Sequence, residues 1–340
     1  MICTVGIDVS KAKLDVAVST SPGKFTCLEF PNTPAGHKKL LDRARKLSKG
    51  MPLHFCMEVT AAYHYMIGMY LVEAGERVSV ENPRRVKHFA ISHGATQKTD
   101  RADARMIAEY ARLYEPKAWN LAQPHIRELV ALDRRITELK VMQNQETNRL
   151  EMPLLPKLVT QGIAASVKGF QKQIVELEKR IKEILKENVE LAAQVKLLIT
   201  VPGIAQRSAV GLLAEVGDIE AYATAQDLAA KLGLNPVHRR SGSSLHGRTR
   251  ISKAGNAHAR SRLYMPTVVA TRYNPIIKDF YTKLVAHHKP KKSALIAAER
   301  KLVMICYGIL KSGKGFNPNH GKLPDEVTPA EKQTLTRLCA

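Results

Sequence analysis

Four acidic residues lie where predicted strands end and a predicted helix begins. Asp8 follows the apolar residues 5–7, and Glu58 follows the apolar run at residues 53–57. Asp100 and Asp103 begin a helical segment, and their spacing of three places them on one face of it. We therefore expect the four carboxylates to meet at one edge of a sheet. Taken singly, Asp8 and Glu58 are explained as ordinary strand-end residues, and Asp100 and Asp103 as complements to a helix dipole.

Such a cluster would call for a cation. Carboxylates brought together repel one another strongly unless positive charge lies between them. Their hard oxygen atoms suit Mg²⁺, with Mn²⁺ as the alternative. Two such ions about 3.5–4 Å apart could hold both oxygens of a phosphodiester displacement. The acidic residues therefore predict a metal-dependent reaction at phosphate.

A second group of reactive residues lies far along the chain, in the stretch Ser241-Gly242-Ser243-Ser244. Glycine lets the backbone approach a phosphate closely, and the surrounding cations would neutralise it. The predicted nucleic-acid-binding cations are Arg239, Arg240, Arg248, Arg250 and Lys253. From the residues alone this is a phosphate-binding loop. A catalytic serine, which would need activation, and a simple Ser/Gly turn with solvated arginines both remain alternatives.

Alternating patterns predict the elements that position the acids. Strands are expected at residues 5–8, 14–19, 25–30, 53–57 and 77–80. Helices are expected at residues 33–48, where Thr33 is a candidate N-cap before Pro34, and at residues 62–74, with a third opening at Pro83. Strands followed by alternating helix and strand are typical of an α/β sheet with helices packed on it.

The rest of the chain is predicted to be mainly helical. Residues 126–148 and 167–195 carry apolar residues at helical spacing among many charges, which favours a coiled-coil hairpin, interrupted at Pro153, Pro156 and Gly162. Residues 236–254 are predicted to form a loop between helices. The expected divisions are an acidic domain at 1–118, a coiled-coil linker at 119–197, a serine domain at 198–313 and a polar tail at 314–340.

Charge is the strongest feature of the composition. The chain of 340 residues has 53 Lys and Arg against 31 Asp and Glu, a net charge of +22, which favours a polyanionic partner. No apolar run reaches the roughly 20 residues needed to span a bilayer, and we expect neither a membrane partner nor a signal peptide. Five cysteines without a CxxC pair fit a reducing cytoplasm.

The N-terminal motifs resemble those of a known family. They are Gly6-Ile7-Asp8-Val9-Ser10-Lys11, Met57-Glu58-Val59-Thr60, Asn82-Pro83 and Lys98-Thr99-Asp100-Arg101-Ala102-Asp103-Ala104. Together they are similar to the insertion sequence 110 family, the DEDD transposases also described as bridge-RNA-guided recombinases. The resemblance implies a RuvC-like domain of RNase H-like fold in which Asp8, Glu58, Asp100 and Asp103 bind metal. The family often has Glu-Ala-Thr-Gly where this chain has Glu58-Val59-Thr60-Ala61, which affects local loop geometry alone.

The C-terminal motifs resemble the transposase domain of the same family. They are Asn235-Pro236, Ser241-Gly242-Ser243-Ser244, Gly247, Ser252-Lys253-Ala254-Gly255 and Tyr264-Met265-Pro266. The resemblance implies that Ser241 is the nucleophile, forming a phosphoserine with DNA. It also implies double-stranded donor and target DNA, a noncoding guide RNA, and a composite site within a dimer or tetramer. The expected location is the bacterial cytoplasm, in association with the nucleoid.

Two other functions compete with recombination. In a metal-dependent nuclease of the Holliday-junction type, water would be the nucleophile and Ser241 would be incidental. In a non-catalytic architectural protein that binds nucleic acid, loss of Asp8 or Ser241 would leave all activity intact. The clustered acids argue against the second alternative, because a protein that simply binds DNA gains nothing from carboxylates that face phosphate.

Overall fold

The structure is a computed structural model that describes residues 2–60, 62–94, 99–241 and 245–319. Of residues 238–241 and 245–249 it describes the backbone. The chain divides into two compact units, Met1–Leu121 and Ala122–Ala340. Within the described residues, no helix combines the length and apolar character that a membrane span requires.

The first unit is built on a five-stranded sheet. The strands are β1 (Cys3–Val9), β2 (Lys13–Ser21), β3 (Lys24–Pro31), β4 (Leu53–Glu58) and β5 (Arg77–Glu81). Their order in the sheet is β3-β2-β1-β4-β5; β2 is antiparallel to both β1 and β3, and β4 runs parallel to both β1 and β5. The helices are α1 (Pro34–Ser48), α2 (Tyr63–Glu73), α3 (Pro83–Ser92) and α4 (Asp100–Tyr114). The predicted α/β sheet is confirmed, and it is compatible with an RNase H-like fold.

Apolar side chains on the sheet and on the helices beside it form the core of this unit. Phe55 and Met57 of β4 are fully buried with Ile7 of β1, and Leu40 of α1 and Leu71 of α2 join the same cluster. Helix α1 begins as predicted: the Thr33 side chain accepts a hydrogen bond from the Gly36 amide, with Pro34 in the first turn. Burial of this cluster fixes the sheet that carries Asp8 and Glu58.

Helix α4 lies unusually close to β1 at Gly6. A Cβ atom at Gly6 would be 2.2 Å from the carbonyl oxygen of Ala104 and 2.3 Å from the amide nitrogen of Ala108. Both neighbours are backbone atoms of α4, so rotation of a side chain cannot relieve the overlap. The glycine thus allows the helix that carries Asp100 and Asp103 to pack against the strand that carries Asp8.

Gly6→Ala should therefore destabilise the first unit by about 3 kcal/mol, because the added methyl group forces β1 and α4 apart. The measurement is urea-induced unfolding followed by circular dichroism. Gly169→Ala is the matched control, since Gly169 lies in an exposed helix with no atom near its missing Cβ, and alanine there should be neutral or slightly stabilising. Equal stabilities of the two variants would contradict the close contact.

The second unit begins with two long helices, α5 (Pro124–Leu150) and α6 (Lys157–Glu187). They run antiparallel, since Arg180 pairs with Glu128 near one end and Gln143 bonds Gln171 further along. A predicted break at Gly162 is wrong, because α6 continues through this exposed glycine. The predicted helix 167–195 instead ends at Asn188, whose extended backbone separates α6 from the helix that follows. Supercoiling of the pair stays a prediction.

The rest of the second unit consists of further helices and a two-stranded hairpin. The helices are α7 (Val189–Ile199), α8 (Gln206–Val216), α9 (Ala225–Lys231), α10 (Ala257–Tyr273), α11 (Pro275–Ala286) and α12 (Lys291–Ser312), with a 3₁₀ turn at Ile219–Ala221. The hairpin consists of β6 (Pro236–Ser241) and β7 (Leu245–Ile251). The prediction of a loop over residues 236–254 is therefore wrong for most of that stretch.

Candidate functional site

Three elements bring the predicted acids together in the first unit. Asp8 lies in β1 and Glu58 ends β4, and these parallel neighbours are in register one residue earlier, at Ile7 and Met57. Asp100 and Asp103 occupy the first turn of α4, which Thr99 caps by accepting a hydrogen bond from Ala102. The two parallel strands end at the same edge of the sheet, and the charges of Asp100 and Asp103 act on Asp8 there, so the four carboxylates lie near one edge.

The pKa values of the two strand carboxylates are raised by burial first and by the neighbouring acids second. Burial, together with the charges of Asp8 and Asp103, raises the pKa of Glu58 to about 7. Burial, and then the charges of Asp100, Asp103 and Asp15, raise the pKa of Asp8 to about 6. Each shift records a cost of holding the carboxylate ionised. A bound cation would lower this cost, which arises from burial and from repulsion between the carboxylates.

Sequence reasoning missed a row of acids across the sheet. Strand pairing places Asp15 of β2 directly opposite Asp8, and Glu29 of β3 directly opposite Asp15. The Asp15 side chain is 5% exposed. Like charges directly opposite each other across strands destabilise a sheet unless they are compensated. One sequence pattern could have revealed this row of acids: Lys13 and Asp15 are two residues apart in a strand, so their side chains lie on the same face of it.

The positive charge of Lys13 compensates the negative charges of these acids. Its Nζ lies 3.0 Å from Oδ2 of Asp15, 2.8 Å from Oδ2 of Asp100 and 3.9 Å from Oε2 of Glu29. The hydrogen bond from Lys13 lowers the pKa of Asp100, and the two carboxylates raise the pKa of Lys13. Asp100 thus keeps its negative charge through Lys13, whereas Asp8 and Glu58 have raised pKa values.

The donor chemistry suits a hard divalent cation, because the side chains offer carboxylate oxygens under mutual repulsion. Across the described residues, no group of three or more His, Cys, Asp or Glu side chains is closed tightly enough to hold a metal ion. Of the four predicted ligands, Asp100 forms an ion pair with Lys13. Asp8, Glu58 and Asp103 are the remaining predicted ligands.

The raised pKa of Glu58 predicts a pH-dependent stability in the presence of a chelator. The folded chain holds this proton up to about pH 7, whereas the unfolded chain releases it near 4.5. Between those values the folded state binds more protons, so stability falls as the pH rises. Glu58→Gln cannot ionise, and its melting temperature should exceed that of the wild type by about 2–4 °C at pH 8.

This difference between the variant and the wild type should vanish near pH 5, as followed by thermal melting in EDTA. Comparing the two proteins cancels the opposite effect of buried His54, whose pKa burial lowers to about 4. A gap between the two melting curves that stays constant from pH 5 to 8 would contradict the raised pKa of Glu58.

Ser241 is the last residue of β6 in the second unit. The backbone register places it opposite Leu245, so residues 242–244 make the connection and lie outside the described residues. The other two serines of the motif, Ser243 and Ser244, fall in that connection. Ser241 therefore lies at the tip end of the hairpin, at the greatest distance along β6 from its base.

Backbone contacts anchor the base of this hairpin. The Ser252 amide donates to the Asn235 carbonyl at 2.8 Å, and the Asn256 amide donates to the Lys231 carbonyl at 2.9 Å. A Cβ at Gly255 would lie 2.4 Å from the Lys231 carbonyl oxygen, so this glycine permits the close approach. The chain on both sides of the hairpin is thereby fixed to the end of α9.

A half-buried polar network holds the start of α10 in the same region. The Asn256 side chain caps α10 and also donates to Oε2 of Glu215 at 2.6 Å. Arg134 of α5 donates to both carboxylate oxygens of Glu215, at 2.7 and 2.8 Å. The long helix α5 is therefore connected to the segment that follows the serine hairpin.

The predicted DNA-binding cations lie on or beside this hairpin. Arg239 and Arg240 belong to β6, and Arg248 and Arg250 belong to β7. Arg250 and Lys253 are exposed, and Lys253 has a left-handed backbone with φ 54°. The five residues are thus brought to one hairpin, in the second unit, while the four acids are brought to one sheet edge in the first.

Two family models match the sequence. Residues 5–156 match a model described as a transposase, for the DEDD transposases of the IS110 type. Residues 195–282 match a model described as the transposase of the IS116/IS110/IS902 family. The first match contains the four acids, and the second contains Ser241.

Two curated relatives match nearly the whole chain, and a third matches two thirds of it. The pilin gene-inverting protein of Moraxella lacunata is 29% identical over 92% of this chain and 97% of that protein. The pilin gene-inverting protein of Moraxella bovis is 28% identical over the same shares. A 43.6 kDa protein of insertion element IS110 from Streptomyces coelicolor is 26% identical over 67% of this chain and 53% of that protein.

Proposed function

Since the chain belongs to the IS110 family of transposases and is thus a DNA transposase of the site-specific recombinase kind, we propose that it cuts and rejoins DNA through a phosphoserine at Ser241. Asp8, Glu58, Asp100 and Asp103 bind Mg²⁺, or Mn²⁺, for this reaction. The observation that carries the proposal is the convergence of these acids from β1, β4 and α4 on one sheet edge. A protein that only binds DNA without cutting it would gain nothing from four carboxylates that repel one another.

The proposed chemistry conserves the number of phosphodiester bonds. The Ser241 hydroxyl loses its proton and attacks a DNA phosphorus atom, and the bond to one deoxyribose oxygen breaks as that oxygen takes up a proton. A hydroxyl from a different strand then attacks the phosphoserine and releases Ser241. A divalent cation at the acids would stabilise the negative charge that builds up on the phosphate.

The basic residues bind the substrate in this proposal. Arg239, Arg240, Arg248, Arg250 and Lys253 neutralise DNA phosphates on either side of the scissile bond. The acids and Ser241 belong to different units, and we propose that they meet in a composite site within a dimer or tetramer. The net charge of +22 also supports binding of donor DNA, target DNA and a noncoding guide RNA that selects them by base pairing.

Covalent trapping tests the proposal. The wild-type protein with its copurifying nucleic acid is incubated with supercoiled DNA and Mg²⁺, and the mixture is then denatured in detergent. We expect DNA bound covalently to protein, and none in the presence of EDTA. Cleaved DNA without an adduct would favour the nuclease in which water attacks. Bound but uncleaved DNA would favour the architectural protein, and either result would overturn the phosphoserine.

Sequencing the copurifying nucleic acid tests the guide RNA separately. We expect one defined RNA that is complementary in part to the DNA sites that recombine. Recovery of random RNA fragments alone would contradict guidance by RNA and leave the adduct experiment unaffected.

A further inference from the structure

The Lys13 side chain lies where its charge competes with a cation for the acid cluster. It contacts Asp15 and Asp100 at 3.0 and 2.8 Å, so it joins the row of acids on the sheet to the first turn of α4. The two partners differ in their exposure to solvent: the Asp15 side chain is 5% exposed, whereas the Asp100 side chain is 58% exposed. Lys13 itself is 39% exposed and has room to move.

Asp15 is the partner that Lys13 must keep. Its carboxylate lies opposite Asp8 on one side and opposite Glu29 on the other, and it has little contact with water. Loss of the ammonium would leave a buried charge without a partner, which is costly. Asp100 has no such requirement, because its exposed carboxylate is solvated and can exchange one cation for another.

We propose that Lys13 is an internal counter-ion of the acid cluster, which holds Asp100 until a divalent cation displaces it and which thereby weakens cation binding. The inference rests on the proposed function, because it takes the four acids as cation ligands. Lys13 is a positioning residue, since it affects cation binding through Asp100 and Asp15. It keeps the sheet edge neutral enough to fold before the cation binds, and it makes binding reversible.

The sign of the expected effect separates this role from a structural one. Removal of a positive charge beside the cluster makes the potential at the cation more negative, so binding should tighten. Removal of a residue that merely supports the fold or orients a ligand would weaken binding instead. Lys13→Met should therefore bind Mg²⁺ about tenfold more tightly than the wild type does, as measured by calorimetry on the full chain without DNA.

Lys11→Met is the matched control. Lys11 lies in the same turn, is exposed, and forms no ion pair in the part of the chain that the structure describes. It carries the same charge, and its removal should change Mg²⁺ affinity by less than about twofold, because solvent screens a more remote exposed charge. Lys13→Arg keeps the charge and should keep the affinity of the wild type.

Thermal melting gives a second readout. In EDTA, Lys13→Met should melt at a lower temperature than the wild type because Asp15 loses its partner, and Mg²⁺ should raise the melting temperature of the variant by more. Lys13→Gln, which can still donate a hydrogen bond to either carboxylate, tests the same loss of charge if the methionine variant does not fold. Mn²⁺ binding followed by electron paramagnetic resonance repeats the affinity measurement.

The outcomes distinguish the inference from the proposed function. If the wild type binds neither Mg²⁺ nor Mn²⁺, the metal site and the inference both fail. If the wild type binds Mg²⁺ and Asp8→Asn abolishes binding, while Lys13→Met binds no more tightly than Lys11→Met, the inference alone is overturned. Tighter binding confined to Lys13→Met and Lys13→Gln supports it.

Discussion

Ser241→Ala should bind DNA with the affinity of the wild type and form no covalent adduct with it. Removing the hydroxyl removes the atom that would bond to phosphorus, while the five basic residues of the hairpin region remain to hold the backbone. Strand exchange should fall by at least about a thousandfold, the usual scale for loss of a nucleophile. Adducts are measured on denaturing gels, and affinity is measured by a mobility shift at fixed salt.

Three alanine controls make this result specific. Ser243→Ala and Ser244→Ala test the other hydroxyls of the motif, and both should retain the adduct. Ser252→Ala makes the same substitution after β7, where the backbone amide already bonds Asn235. An adduct that persists in Ser241→Ala, or that disappears in Ser243→Ala instead, would assign the nucleophile to another residue.

The sequence predicted the first unit well because its strands follow simple rules. Residues 5–7 and 53–57 are buried on both faces and apolar apart from His54, and each run is followed by the acid that was singled out, Asp8 or Glu58. Thr33 followed by Pro34 is a strong helix-start signal, and α1 begins there. The predicted ends of the buried strands therefore located the acids, although the strand order was not known.

The partners of those acids could not be found in the same way. Asp15 and Glu29 join the site through the registers of two antiparallel pairs, Asp8 with Asp15 and Asp15 with Glu29. A register shift of one residue would reverse the face of every side chain in a strand. Composition does not fix that register, so Lys13 at the centre of the cluster was not predicted.

The hairpin that carries Ser241 was missed for a different physical reason. Its second strand does alternate, with basic residues at 246, 248 and 250 between Leu245, Gly247, Thr249 and Ile251, but the first strand, Pro236–Ser241, is mostly basic and polar and shows no such pattern. The contacts that anchor it come from residues distant in sequence, such as the Lys231 and Gly233 carbonyls that accept from the segment after β7. Such tertiary contacts are absent from any local pattern.

Asp8→Asn should abolish Mg²⁺-dependent cleavage while leaving the chain folded. The amide is nearly the same shape as the carboxylate, so the change removes a negative charge with little change in packing. Because burial and the charges of Asp100, Asp103 and Asp15 raise the pKa of Asp8 to about 6, a neutral side chain relieves repulsion at pH 8. The melting temperature in EDTA should therefore stay level or rise, while cleavage falls by at least about a thousandfold.

Glu81→Gln separates a ligand role from a general effect on the sheet. Glu81 ends β5 directly opposite Glu58, so it is a buried strand-end carboxylate like the predicted ligands. Its Oε2 is already held by Arg85 at 3.2 Å and lies 3.4 Å from the Tyr110 hydroxyl. Cleavage by this variant should stay within about tenfold of the wild type, because the Glu81 carboxylate binds Arg85 and Tyr110 rather than the cation. Equal losses of cleavage in Glu81→Gln and Asp8→Asn would mean that both acids act by stabilising the sheet. A stable Asp8→Asn protein that cleaves normally would contradict a role for an Asp8-bound metal ion in the reaction.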